Sequence, residues 1–140
     1  MSDAGKVFWQ DLAQDLQDPD LLREYVVESL RIATIDRIVN ALDEARVAAG
    51  LTKAELARAI GSQPAVIRRL FTSHTASPTL GTLAEVAAAL GMRVTLTPMD
   101  EKERTEVTHS LLAGRTADQE GLAAHLAEIR QSRPRHLVPY

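Results

Sequence analysis

Arg68 and Arg69 lie in "LARAIGSQPAVIRRLF", residues 56–71, where Gly61 separates two short stretches of helical periodicity and Pro64 opens the second. In that second stretch Val66, Ile67, Leu70 and Phe71 are expected on one face, and Pro64, Ala65, Arg68 and Arg69 on the opposite one. A guanidinium is a planar fork of N–H donors that suits guanine O6 and N7 or a phosphate. On an isolated helix two arginines are most simply a solvated face. Directly after a glycine turn they become candidates for contact with a polyanion. Lys53 and Gln63 carry two readings each: surface charge or phosphate contact for Lys53, turn residue or groove-edge contact for Gln63.

Other chemistry is poorly represented. The chain has no cysteine, which removes disulfides, thiol catalysis and cysteine zinc sites, and suits a reducing compartment. The histidines His74, His109, His125 and His136 lack the short spacing of metal ligands. No glycine-rich phosphate loop, GxSxG elbow or HExxH segment occurs. No enzyme activity, metal or cofactor is expected.

The elements that must position the arginines are well punctuated. Thr52 and Glu55 have capping-box spacing, with Leu51 and Leu56 placed as a hydrophobic staple, so a helix is expected from Lys53 to Gly61. Thr82 and Glu85 repeat that spacing ahead of the stripe Leu83, Val86, Ala87 and Leu90, which ends at Gly91. Upstream, Asp18 and Pro19 signal a helix start. The periodicity from Leu22 to Gly50 is expected to break near residues 31–34. Val7, Phe8, Leu12 and Leu16 suggest a short amphipathic helix, with Phe8 and Trp9 expected in core or dimer packing. "MRVTLT", residues 92–97, alternates like a strand. Having no partner in the chain, it is expected to pair with a second copy. Helices are expected around residues 101–113 and 117–131, followed by a tail.

Charge is unevenly distributed. Residues 1–49 carry five basic against ten acidic side chains, residues 50–97 five against two, and residues 98–140 six against seven. A locally basic middle inside a chain of net charge −3 can still meet a polyanion, because screening confines each charge to roughly 8 Å at physiological salt. No signal pattern or membrane-spanning stretch is read, so a cytoplasmic protein without membrane contact is expected.

Leu56, Ala57, Ile60, Gly61, Ile67 and Leu70, with "SPTLGTLAEVAAALGM" after them, resemble the Xre or phage-repressor-like helix-turn-helix family over residues 35–97. "DLQDPDLLREYVVESL" upstream is similar to HigA-type antitoxins and related regulators encoded beside a toxin. The resemblance implies an all-α fold: a five-helix Xre-like core with N- and C-terminal helical extensions and one short dimerising β-strand. The parts are residues 1–33, 34–97 and 98–140. It further implies a homodimer that binds operator DNA, represses its own operon and neutralises a cognate ribonuclease toxin. The DNA-binding residues it implies are Thr52, Lys53, Gln63, Pro64, Ala65, Arg68, Arg69 and His74. Arg69 is expected to read bases and Arg68 to contact phosphate. The chain departs from the family at Pro64 and Ala65, where polar side chains often read bases, at Ser62 and in the loop after Phe71. Two alternatives remain open: a stand-alone Xre-family repressor, and a protein-interaction module that has lost DNA binding.

Overall fold

A computed structural model of the chain describes residues 10–73 and 77–131. Residues 10–15 are helical. They are followed by α1 (Pro19–Ala48), α2 (Lys53–Ala59), α3 (Pro64–Thr72) and α4 (Leu80–Ala89). The short α5 (Glu101–Glu103) continues through a π-helical stretch, Arg104–Thr108, into α6 (His109–Ala113); α7 (Gln119–Gln131) ends the described chain.

The chain forms two compact units. The described part of one is residues 10–33 and 97–131; the described part of the other lies within residues 34–96. In the first, Leu12, Leu16, Leu22, Val26, Val107, Leu122 and Leu126 make the core. In the second, Val39 and Leu42 from α1 meet Leu56 and Ala57 of α2, Ile67, Leu70 and Phe71 of α3, and Leu83, Val86 and Ala87 of α4.

Local signals explain where the helices start. Asp18 accepts from the Asp20 and Leu21 amides at the head of α1, satisfying donors that the helix itself cannot. Thr52 and Glu55 form the expected capping box. The second box does not form: the N-cap of α4 is Thr79, whose hydroxyl accepts from the Thr82 amide at 3.1 Å. Thr82 is therefore already inside the helix.

Three further expectations are corrected. α1 does not break at residues 31–34. That stretch contains neither glycine nor proline, and Arg31 pairs with Glu28 along the helix at 2.6 Å, so nothing interrupts the backbone ladder. The boundary between the two units nevertheless falls there, between Ala33 and Thr34. The short β-strand is absent, since residues 92–97 have neither helix nor strand. The alternation does not mark a buried face: only Val94 is half-buried, packed on the second unit's core, while Met92 is 42% and Leu96 97% exposed. No neighbouring strand among the described residues supplies a ladder, and an extended run without one is not a sheet. Finally, among its described residues the second unit contains four helical segments instead of five.

Candidate nucleic-acid interface

The turn between α2 and α3 depends on Gly61. Its φ is +69°, the left-handed region that side chains with a Cβ rarely adopt. This geometry lets the Gly61 amide bond to the Arg58 carbonyl at 3.2 Å and the Ser62 amide to the Ala57 carbonyl at 2.8 Å. The last carbonyls of α2 are thereby satisfied, and the chain reverses into α3.

α3 separates its faces sharply. Ile67, Leu70 and Phe71 are buried. At about 100° per residue, Ala65 and Arg69 point roughly 150–170° away from the centre of that buried face, while Arg68 and Val66 flank it at about 90–110°. Pro64, Ala65, Arg68 and Arg69 are all exposed, and among the described residues neither arginine forms an ion pair. Val66, expected in the apolar face, is 42% exposed. It stands beside Arg69 on the outer side, where a methyl-bearing side chain could meet a thymine methyl. The expectation that Val66 shares the buried face is therefore corrected: at about 100° per residue it lies roughly 90° from the centre of that face, and the packing of α3 leaves it outside the core.

Gln63 is exposed and is the N-cap of α3, but its side chain makes no capping hydrogen bond. Its amide is not committed to holding the helix. Thr52 is committed: its hydroxyl accepts from the Glu55 amide and its own amide donates to Glu55 Oε1, both at 3.0 Å. Half-buried Lys53 follows at the first position of α2. The Thr52 amide holds the Glu55 carboxyl below its ordinary value, with the Thr52 side-chain hydrogen bond adding to the effect. His74 lies outside the described residues, as do Phe8, Trp9 and His136.

The residue that sequence reasoning missed is Arg46. Its side chain is fully buried. Nε donates to Asp43 Oδ1 at 3.0 Å, Nη1 donates to the Leu51 carbonyl at 2.8 Å, and the guanidinium lies 5.6 Å from the centre of the Phe71 ring. Arg46 thus ties the end of α1 to the residue preceding the Thr52 cap and to the buried face of α3. These contacts hold the segment that leads into α2 and the buried face of α3 against the end of α1. A signal was available in the i, i+3 spacing of Asp43 and Arg46 among apolar positions.

No group of three or more histidine, aspartate or glutamate residues among the described residues could hold a metal, and no described helix is long and apolar enough to cross a membrane. Among curated proteins and solved structures nothing matches this chain. A family model described as helix-turn-helix matches residues 42–96, which supports the Xre-type resemblance over that stretch. Families of this kind bind DNA and are in general not enzymes. The match runs from Leu42, in the second unit's core, through the Gly61 turn and α3 to Leu96. Residues 42–96 of this chain thus carry a helix-turn-helix similar to that family's.

Proposed function

We propose that the chain is a cytoplasmic, sequence-specific DNA-binding transcription regulator that lays the outer face of α3 in a major groove. The observation that carries this reading is the position of Arg69, exposed and aimed almost directly away from the buried Ile67, Leu70 and Phe71. A side chain there reaches base edges first. Arg68, displaced toward the flank, faces the groove wall and its phosphates. Ala65 and Val66 add apolar contact, and Gln63 and Lys53 stand at the ends of the two helices nearest the backbone.

The test is affinity across a salt series for an operator selected from a random duplex pool, and for random DNA. Arg69→Ala should cost about 1–3 kcal/mol and relax sequence preference, whereas Arg68→Ala should weaken all sequences alike and lower the salt slope by about one per half-site. Melting temperatures should stay near the parent's, because both side chains are exposed. If both variants bind like the parent, the face is merely solvated and the module has lost DNA binding.

A finer reading is that the regulator is the antitoxin of a toxin–antitoxin pair and represses its own operon. What favours it is the acidity of the first unit: residues 10–30 hold six carboxylates and one arginine. Such a surface suits a basic ribonuclease. Co-expression with the product of an adjacent reading frame tests it. A stoichiometric complex and loss of ribonuclease activity are expected; no complex leaves a stand-alone repressor.

A further inference from the structure

The acidic stretch borders a groove that the DNA-binding reading does not use. Residues 10–30 hold six carboxylates, Asp11, Asp15, Asp18, Asp20, Glu24 and Glu28, against one cation, Arg23. Arg23 is engaged elsewhere, donating from Nε to the Leu111 carbonyl at 3.0 Å and from Nη2 to that of Leu112 at 3.4 Å. Within the same unit a groove of about 240 Å³ has Leu12, Leu16, Leu21 and Tyr25 as its apolar lining. Leu21 remains 45% exposed. Asp15 and Glu24 supply exposed carboxylates. Glu28 is held by Arg31 at 2.6 Å, and Arg130 closes one end by stacking over Tyr25 at 4.4 Å while donating to Ser29 Oγ at 2.7 Å.

Size and chemistry narrow the occupant. The groove is below the roughly 300–1,000 Å³ of small-molecule sites, and matches one or two side chains better than a metabolite. An apolar lining beside carboxylates favours an apolar anchor flanked by cations, because the anchor supplies buried area while the charges steer and orient it. We propose that this groove docks a cationic segment of a partner protein. The segment seats one large aliphatic or aromatic side chain over Leu21 and Tyr25, with lysine or arginine facing Asp15 and Glu24. The proposal rests on the antitoxin reading for the partner's biological identity, but its chemistry is independent of DNA binding by α3.

The test uses the full chain and two synthetic twelve-residue peptides with leucines at helical spacing, one otherwise lysine-rich and the other glutamate-rich. Calorimetric titration gives affinity, and amide NMR shifts give location. The lysine peptide is expected to bind and to shift amides around Leu12, Leu16, Leu21 and Tyr25; the glutamate peptide is not. Leu21→Ser, and separately the pair Asp15→Asn with Glu24→Gln, should each weaken binding about tenfold. Val27→Ser, at a position 53% exposed but outside the groove, should leave it unchanged. Absence of binding, equal binding to the charge-neutralised variant, or shifts scattered away from the groove would overturn the proposal. So would shifts at Leu21 and Tyr25 caused, without peptide, by Arg133→Glu with Arg135→Glu, which would make this chain's own tail the occupant. Operator affinity measured on the same proteins keeps the readings apart: failure of the parent chain to bind the lysine peptide while it still binds operator defeats the groove alone.

Discussion

At the scale of single residues, two arginine environments on or beside α3 have opposite consequences. Arg69 is exposed, so its loss is expected to be read in DNA affinity and hardly in stability. Arg46 is fully buried and paired, so its loss is expected to be read in stability first. Removing one partner of a buried pair leaves the other charge uncompensated, which typically costs about 3–5 kcal/mol. Arg46→Ala should therefore lower unfolding free energy by about that amount, measured in urea, a large share of the roughly 5–15 kcal/mol available to a domain. Arg46→Met combined with Asp43→Leu should recover much of the loss, because it removes both buried charges together. A single variant as stable as the parent would show that the Asp43 and Leu51 contacts contribute nothing net.

At the scale of elements, the capping box of α2 links the fold to pH. Glu55 is held below its ordinary value of 4.5 by the Thr52 amide and, secondarily, by the Thr52 side chain. A carboxyl with a depressed folded-state pKa contributes stability that is fully present above the unfolded value and is lost as pH falls through the folded one. The parent's melting temperature should therefore drop below about pH 4.5 more steeply than that of Glu55→Gln, which can still accept from the Thr52 amide but cannot titrate. Parallel acid limbs in the two melting series would remove this cap from the pH dependence. The α3 cap differs, since Gln63 makes no side-chain capping bond. Proline at the first position of α3 partly replaces it, because that residue's missing N–H would have had no intrahelical partner.

At the scale of the whole molecule, the proposal that α3 enters a major groove leads to the expectation of a homodimer on DNA, because two-fold related helices can enter successive major grooves about 34 Å apart. Light scattering is expected to show twice the mass of the chain, free or bound to a palindromic operator. A monomer in both conditions would sink the dimer. Pairing of residues 92–97 is not the basis of this expectation, since that segment forms no strand.

Much of the helix-turn-helix was legible in the sequence because its signals are local. Thr52 with Glu55, the Gly61 turn, Pro64 opening α3 and the spacing of Ile67, Leu70 and Phe71 all act within a few residues, and the structure reproduces them. The arginines' outward position followed from the same helical period. Tertiary packing decided what such spacing leaves undetermined. Whether Thr79 or Thr82 caps α4 depended on which hydroxyl met a free amide. Whether Val66 sank or faced outward depended on how α3 rolled against its core. The alternation at residues 92–97 could not become a strand without a neighbour to pair with, because a strand is defined by bonds that its own residues cannot supply. The burial of Arg46 required a carbonyl at Leu51 and a ring at Phe71 to converge on it. A charged side chain reads as surface from sequence until the fold brings it partners.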